Sequence, residues 1–367
     1  MLALLFAAGL VLLLVGAEAL VRGASRLALA LGLAPIIVGL TVVSIGTSAP
    51  ELAISIDGAL SGSPDLALGN IVGSNIANVL LVLGVVALIT PLVVQRQLVW
   101  LDVPIMIGAS VLCFVMALDG HIARWEGGVL LAGAVAYTVF LIRLALRTPE
   151  QVPERPEVRD GNGVAAKKAG VVRQVLLMAV GLALLVGGAR LLVQAATGMA
   201  TALGLSELII GLTVVAVGTS LPEIATSILA AIRGERDLAV GNIVGSNIFN
   251  LLLVLGGTAL IASEGVPVHP VALRFDLPVM TAVAVACLPI FFTGHCISRW
   301  EGAVFVGYYV AYTAYLLMAA SSHAALADFR FGMVYVVIPM TVLTIAAVTL
   351  DSLKARRTRQ ARKDTPT

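Results

Sequence analysis

The segment GTSAPELAISIDGALSGSPDLALGNIVGSNIANVLLVLG at Gly46–Gly84 returns at Gly218–Gly256 as GTSLPEIATSILAAIRGERDLAVGNIVGSNIFNLLLVLG. The register between the two copies is constant at 172 residues, and 27 of the 39 aligned positions are identical. Each copy carries one glutamate, Glu51 or Glu223, beside a proline and two hydroxyl side chains in otherwise apolar sequence. The repeat therefore predicts a duplicated fold with a carboxylate at the matching position of each copy.

The composition indicates a membrane protein. The chain is 59% hydrophobic and 12% charged, with a mean hydropathy of +1.04. Its apolar runs are about 20 residues or longer and continuous, which is the pattern of bilayer-spanning helices rather than of an alternating β-barrel. A net charge of +2 without a basic cluster in the apolar core gives no reason to expect a nucleic-acid partner. Polytopic, all-α architecture is the prediction.

The apolar runs form two sets of five followed by one more. They lie at about Leu2–Val21, Leu27–Leu60, Leu66–Ile89, Val99–Leu118, Gly127–Leu146, Val172–Val193, Ala202–Ile232, Leu238–Ile261, Val271–Phe292, Gly302–Ala320 and Met333–Leu350. We therefore divide the chain into an N-terminal five-helix repeat (1–146), a cytoplasmic linker (147–171), a C-terminal five-helix repeat (172–320), an extra transmembrane helix (333–350) and a basic cytoplasmic tail (351–367).

An odd number of helices in each half means that the second copy enters the bilayer inverted. The distribution of basic residues agrees with this, because 19 of the 23 Lys and Arg residues fall in cytoplasmic segments if the N-terminus is outside. We expect eleven spans in the inner (plasma) membrane, with the N-terminus outside and the C-terminus in the cytoplasm. Inverted repeats around a midplane site are typical of secondary transporters.

The repeated motif combines oxygen ligands of several kinds. The proline of Gly-Thr-Ser-x-Pro-Glu interrupts a helix and frees nearby backbone carbonyls, which hydrocarbon tolerates only against protein, water or an ion. The second arm of each copy, Gly-Asn-Ile-Val-Gly-Ser-Asn-Ile-x-Asn, places a serine and an asparagine on one helix face at i, i+4 spacing. Carboxylate, hydroxyl, amide and carbonyl oxygens are the ligands of a hard cation such as Ca²⁺.

A carboxylate at mid-bilayer is costly enough to be functional by default, and neither motif helix carries a basic residue to pair with Glu51 or Glu223. Glycine, serine and threonine in membrane helices also serve as packing residues, so the glutamates carry most of the functional signal. Elsewhere, Glu18 and Arg190 occupy matching positions in the two halves, and we expect them to pair across the pseudo-twofold axis.

At these residues the chain resembles the sodium/calcium exchangers of the cation/Ca²⁺ exchanger superfamily, in particular their prokaryotic members. The resemblance implies a ten-helix antiporter core with cation sites between the second, third, seventh and eighth helices. By motif position, Glu51 and Glu223 would be shared central ligands, and Thr47 and Thr219 would complete a Ca²⁺ site. The residues implied to line flanking Na⁺ sites are the side chains of Ser48, Ser74, Ser220 and Ser246 and the carbonyls of Ser44 and Ala216. Asn78 and Asn250 would face the centre.

One departure from the family pattern concerns the counter-ion. Some relatives carry an aspartate where this chain has Asn78 or Asn250, so the site here holds two carboxylates, which one Ca²⁺ or two protons would neutralise. The proton-coupled branch typically has Gly-Asn-Ala-x-Glu where this chain has Gly-Thr-Ser-x-Pro-Glu, which favours Na⁺. The resulting prediction is a Ca²⁺/Na⁺ antiporter that works by alternating access.

Alternative functions stay open at this point: a Ca²⁺/H⁺ or other divalent-cation/H⁺ antiporter and, more distantly, a cation channel. No nucleophile–base pair or metalloprotease motif indicates an enzyme, and the three cysteines show neither a disulfide nor a zinc spacing. We predict no cofactor. The expected partners are the transported ions Ca²⁺ and Na⁺ and the lipid bilayer, with the monomer as the functional unit.

Overall fold

The computed structural model describes residues 1–61, 64–147, 163–204, 214, 216–292, 294–321, 323–344 and 346. Within these residues the fold consists of eleven helices and two short antiparallel strand pairs. In chain order the helices are α1 (Leu2–Leu31), α2 (Pro35–Leu60), α3 (Ala67–Ile89, with its first turn starting at Pro64), α4 (Leu98–Asp119), α5 (Arg124–Arg147), α6 (Gly163–Ala202), α7 (Ala216–Thr219 and Leu221–Ile232), α8 (Arg236–Ile261), α9 (Ala272–Phe292), α10 (Arg299–Ala320) and α11 (Leu326–Thr344).

The predicted fold class is confirmed. Ten of the helices in the described part of the chain are long and apolar enough to cross a membrane, and the described part of α7 is a shorter apolar helix. The positions before it, 205–213 and 215, lie outside the described residues. α3 and α8 are buried along most of their length and form the centre of the bundle, whereas α11 is exposed along its length.

Some helix bounds differ from those predicted. α6 begins at Gly163, inside the segment that we predicted as linker, because residues 163–171 continue the helical run toward its basic end. α11 begins at Leu326, seven residues before the predicted start. Residues 148–162 of the predicted linker, the end of the extra span and the tail 351–367 lie outside the described residues.

The strand pairs show that the halves are inverted. The four strands are β1 (Leu92–Val93), β2 (His121–Ile122), β3 (Val266–Pro267) and β4 (Cys296–Ile297). By sequence, β1 corresponds to β3 and β2 to β4, yet β1 pairs with β4 and β2 pairs with β3. The connection after α3 therefore lies at the same end of the bundle as the connection after α9, which requires the second half to be upside down.

The repeated sequence Arg-Trp-Glu-Gly starts α5 and α10, and its arginine, glutamate and glycine each have a structural role. Arg124 donates to the carbonyl of Leu260 at the end of α8 (3.2 Å), and Arg299 donates to that of Ile89 at the end of α3 (3.3 Å). A cation at a helix C-terminus satisfies unpaired carbonyls and complements the helix dipole. The two halves thus cap each other's central helices.

The glutamate of the same motif caps its own helix. Glu126 Oε2 accepts the Ala123 N–H at 2.8 Å, and Glu301 Oε2 accepts the Ser298 N–H at 2.7 Å. In α10 this forms a complete capping box. The carboxylate therefore satisfies a backbone donor that the first turn of the helix leaves free.

The glycine of the motif brings helices of opposite halves together. A β-carbon added at Gly127 would lie 2.7 Å from the Gly256 carbonyl oxygen, and one at Gly302 would lie 2.7 Å from the Gly84 carbonyl oxygen. Only glycine allows this approach, so α5 packs directly on α8 and α10 packs directly on α3.

A second set of glycines joins α1 to α6. Gly9, Gly16 and Gly23 recur at intervals of seven on α1, and Gly188 and Gly181 follow the same interval on α6. A β-carbon at Gly16 would lie 2.7 Å from the Gly181 carbonyl oxygen, and one at Gly9 would lie 2.9 Å from that of Gly188. The order of these contacts makes α1 and α6 antiparallel, as inverted counterparts must be.

The predicted pairing of Glu18 with Arg190 is wrong. Glu18 on α1 contacts Arg22 one turn later and Arg233 at the end of α7, at 2.5 Å for the second pair, whereas Arg190 is exposed. α1 and α6 contact each other through the helix faces that carry these glycines. Glu18 and Arg190 lie on other faces of the two helices, so their side chains do not meet.

We expect Gly181→Val to disrupt the α1–α6 pair, because the added carbons would meet the backbone of α1 at 2.6–2.8 Å. Overpacking of this kind costs about 1–3 kcal/mol. The matched control is Gly187→Val on the same helix, where an added β-carbon has no described neighbour within 4 Å. Thermal unfolding of the purified proteins should show a lower midpoint for Gly181→Val alone. Equal midpoints for both variants would contradict the close contact.

Candidate cation site

The proline motif breaks α2 and α7 in the same way, as predicted. The helix Ser44–Thr47 ends at Ser48, whose ψ is 4°, and a new helix runs from Ala49 to Leu60. In the second copy Ser220 has ψ 4° and separates Ala216–Thr219 from Leu221–Ile232. Glu51 and Glu223 each lie in the first turn of the new helix, where the helix dipole favours a negative charge.

The predicted site contains a concentration of buried polar atoms that lack partners. Glu51, Glu223, Ser220 and Asn250 are fully buried, and Ser48 and Asn78 are 1% exposed. Within the described part of the chain, ten side-chain atoms of these residues accept or donate no hydrogen bond: the Oγ atoms of Ser48 and Ser220, both carboxylate oxygens of Glu51 and Glu223, and both amide atoms of Asn78 and Asn250. Since buried polar groups are normally satisfied, such a cluster indicates a ligand.

The two carboxylates belong to one site. The charge of Glu223 acts on the Glu51 carboxylate, which also lies beside the Ser74 hydroxyl of α3. The Glu223 carboxylate lies beside the hydroxyls of Thr47 and Ser48 on α2. Two like charges that act on each other in a water-poor interior are unfavourable, so the arrangement favours a bound cation or a proton.

Hydroxyl pairs connect the halves around the carboxylates. Ser74 Oγ of α3 lies 3.5 Å from Thr219 Oγ1 of α7, and Thr47 Oγ1 of α2 lies 3.4 Å from Ser246 Oγ of α8. These two contacts are related by the repeat, because each joins the threonine of one copy to the serine of the other. The structure therefore brings together Thr47, Thr219, Ser74 and Ser246, all of which the sequence placed in the site.

Two asparagines that we did not assign to the site position its members. Asn242 donates to Ser227 Oγ at 3.0 Å, and its Oδ1 accepts the Thr47 hydroxyl at 3.1 Å. Asn70 donates to Ser55 Oγ at 3.1 Å and to the Glu51 carbonyl at 3.3 Å. The sequence signal for both residues was the asparagine of Gly-Asn-x-x-Gly in each copy of the repeat. The groups that each amide contacts depend on how the two halves pack together.

The remaining predicted ligands are backbone carbonyls. The Ser44 carbonyl accepts the Ser48 N–H at 3.0 Å and the Thr47 hydroxyl at 3.4 Å. The Ser44 hydroxyl donates to the Gly39 carbonyl at 2.5 Å and also lies 3.2 Å from the Asn242 carbonyl oxygen. Ala216 is the first residue of the described helix Ala216–Thr219. In this conformation the Ser44 carbonyl is therefore already engaged within the protein.

Asn78 and Asn250 mark a change in helix geometry. The α-helical part of α3 ends at Ala77, and a π-helical turn begins at Asn78; α8 has the same turn beginning at Asn250. Both asparagine side chains are buried, and their amide atoms have no hydrogen-bond partner among the described residues.

The chemistry of this set suits a hard cation. Two carboxylates, six hydroxyls and two amides come from four helices, α2, α3, α7 and α8, and the oxygens outnumber what one Ca²⁺ needs. The described helices hold nothing that resembles a nucleophile activated by a base at this site. The arrangement can bind cations and exchange them, because its charge is balanced only when a cation or protons are present.

The chain is similar to known membrane transport proteins, both in its family pattern and in pairwise sequence comparison. The pattern of the family described as "Sodium/calcium exchanger protein" matches residues 1–143 and 173–318. The chain is 38% identical over 314 residues to a putative antiporter, CaxA, of Alkalimonas amylolytica, covering 85% of this chain and 97% of that protein. It is 35% identical over 338 residues to the sodium/calcium exchanger MaX1 of Methanosarcina acetivorans, covering 84% and 96%.

Among solved structures, that of the sodium-calcium exchanger NCX_Mj soaked with Na⁺ and Sr²⁺ superposes with a TM-score of 0.72 at 30% identity. The superposition covers 85% of this chain and 97% of NCX_Mj. The family pattern ends at residue 318, so α11 lies beyond the matched core.

We expect Asn242→Leu to lower Ca²⁺ affinity, because the change frees the Thr47 hydroxyl and leaves Ser227 without its amide donor. A lost hydrogen bond to a buried partner costs about 1–3 kcal/mol, and where that cost falls on the cation-bound state it corresponds to a loss of affinity of roughly five- to 150-fold. Ca²⁺ binding to the purified protein at fixed Na⁺ measures the effect. The control is Thr138→Val on α5, whose hydroxyl donates only to the Ala134 carbonyl. An unchanged affinity in a stable Asn242→Leu protein would contradict the positioning role.

Proposed function

The chain belongs to the sodium/calcium exchanger family, and we propose that it is a secondary antiporter that exchanges Ca²⁺ for Na⁺ at a site built around Glu51 and Glu223. Membership makes it a multi-pass membrane transporter of the cation/Ca²⁺ exchanger class and not an enzyme. The observation that carries the proposal is the pair of fully buried carboxylates whose oxygens have no partner among the described residues.

Each predicted ligand has a proposed role. Glu51 and Glu223 hold the cation in the centre, and Thr47 and Thr219 complete the Ca²⁺ site from the ends of the broken helices. Na⁺ ions bind on either side, where the contributing groups are the hydroxyls of Ser48, Ser74, Ser220 and Ser246 and the carbonyls of Ser44 and Ala216. Asn78 and Asn250 face the centre. The cross-half hydroxyl contacts at 3.4 and 3.5 Å support a shared site of this kind.

Charge balance provides the coupling. The two glutamates give the empty site a formal charge of −2, which one Ca²⁺ neutralises. An uncompensated charge inside the protein is expensive, so the empty site resists the conformational change that would carry it through a closed state. Only a loaded site then switches between the two openings, which produces exchange instead of leakage.

The paired helices α1 and α6 are suited to move as one body against the core. Their backbones touch through glycines along the whole contact. We propose that this pair slides past α2, α3, α7 and α8 while the cation site stays assembled. Inverted repeats support such alternating access because each half can adopt the conformation of the other.

The proposed setting follows from the distribution of charge. Lys and Arg concentrate in the segments that face one side, which supports an N-terminus outside and a C-terminus in the cytoplasm of the inner membrane. We also propose that the monomer is the transport unit, since all the ligands of the site come from a single chain. We keep, as a proposal, the division of the chain into domains that end at residues 146, 171 and 320.

Glu51→Gln and Glu223→Gln should each abolish Na⁺-driven ⁴⁵Ca²⁺ uptake into proteoliposomes, because the site loses one of its two charges. The control is Asp57→Asn, which removes a carboxylate from the same helix as Glu51 but from an exposed position. The control should transport at close to the unchanged rate. Substantial uptake by either glutamine variant would rule out the assignment.

The counter-ion is tested with the unchanged protein. We expect ⁴⁵Ca²⁺ uptake under an outward Na⁺ gradient at clamped membrane potential, and little uptake under a pH gradient without Na⁺. The opposite result would make the protein a Ca²⁺/H⁺ antiporter, in which two protons replace Ca²⁺ on the glutamates. Ca²⁺ current without any counter-ion gradient would indicate a channel.

A further inference from the structure

The repeated Gly-Ser-Asn-Ile sequence contains one asparagine in each copy that the cation site does not use. Asn75 follows Ser74 on α3, and Asn247 follows Ser246 on α8. Successive residues of a helix point about 100° apart, so these two side chains leave the face that carries the cation ligands. They contact α9 and α4 instead.

Each of these amides contacts a methionine of the opposite half. Asn75 Nδ2 lies 3.8 Å from the Met280 sulfur, and Asn247 Nδ2 lies 3.5 Å from the Met106 sulfur. The weakly accepting thioethers therefore face the amide donors. The Oδ1 atoms of both asparagines accept no hydrogen bond from the described residues, although the side chains are only 4% and 2% exposed.

Both asparagines line the same internal cavity. Its volume is about 10 Å³, taken as the space that the centre of a water-sized sphere can occupy. The lining residues are all buried and come from four helices: Asn75, Val79, Met106, Ser110, Asn247, Met280 and Ala284. None of the proposed cation ligands is among them, so this cavity is separate from the cation site.

We propose that this cavity binds one water molecule, which donates a hydrogen bond to Asn75 Oδ1 and another to Asn247 Oδ1 and so joins α3 to α8. A cavity of about 10–15 Å³ by this measure holds one water, provided that two to four polar groups receive it. The two amide oxygens meet that requirement. The water satisfies both buried acceptors, which otherwise carry the full cost of desolvation.

The chemistry of the cavity favours water over a cation. Its lining holds no carboxylate, and its oxygens are two amide carbonyls and the Ser110 hydroxyl, which donates to the Met106 carbonyl at 2.9 Å. A hard cation takes more oxygen ligands than these three and a compensating charge. Water instead supplies the two donors that the amide oxygens lack.

The position of this water links it to the adjacent site. The residues before the two asparagines, Ser74 and Ser246, make the cross-half contacts to the threonines of α2 and α7. A bridge between α3 and α8 on this second face holds the separation of these helices. The central helices then form a fixed frame against which other helices move.

A structure of the unchanged full-length protein, at a resolution that shows ordered waters, tests the site directly. Crystals should be grown with Na⁺ and separately with Tl⁺. We expect a peak within hydrogen-bonding distance of both Oδ1 atoms in each crystal, with no anomalous signal at that position. The proposal fails if the asparagines bond to protein atoms with no peak between them, or if Tl⁺ occupies the cavity.

A double-mutant cycle tests the bridge by stability. Asn75→Leu and Asn247→Leu should each lower the melting temperature, because each leaves the opposite Oδ1 unpartnered. The double variant, in which both acceptors are gone and the cavity is filled, should lose clearly less than the sum of the two single shifts. Thr138→Val on α5 serves as the control and should leave the melting temperature close to unchanged, since Thr138 does not line the cavity and its hydroxyl donates to the Ala134 carbonyl of its own helix. Additive shifts would exclude a shared water, and the structural test stands even if a leucine variant does not fold.

Discussion

Two buried carboxylates that have no cationic side-chain partner among the described residues are the constraint on which the rest of this structure depends. Glu51 and Glu223 are fully buried, and neither accepts a hydrogen bond from the described residues. The first turn of a helix stabilises each charge in part. In the function that we propose, a cation from solution supplies the remaining compensation. The binding energy of the cation then offsets the cost of burying the two charges, which is why the proposed transporter exchanges ions and does not leak them.

Close helix packing makes such a site possible. Amides and hydroxyls of α3 and α8 contact hydroxyls of α2 and α7 because the helices approach through small residues. At Gly245, for example, an added β-carbon would lie 2.9 Å from the Leu40 carbonyl oxygen of α2. The same principle joins α5 to α8 at Gly127 and α1 to α6 at Gly16. In a bilayer, where burial of apolar surface does not drive helix association, these contacts supply the packing energy.

The sequence was sufficient to predict those features that depend on residues near each other along the chain. The duplication, the inversion, the helix break before Glu51 and the inclusion of Thr47 in the site followed from repeat register, helix parity and proline geometry. The contacts between halves did not follow, because they depend on which helix faces dock. Thus Asn242 reaches across to Thr47, Arg124 caps a helix of the other half, and Glu18 pairs with Arg233 instead of Arg190. Pseudo-symmetric positions in sequence do not have to be neighbours in space.

The halves share a sequence motif, but the first asparagine of that motif makes different contacts in each half. Asn242 is fully buried and connects Ser227 of its own half to Thr47 of the other. Its counterpart Asn70 is partly exposed, and its hydrogen bonds among the described residues go to Ser55 and to the Glu51 carbonyl, both in its own half. The two copies of one motif therefore have unequal environments in this conformation. Our proposal of alternating access requires that the two halves exchange these environments, which an inverted duplication permits.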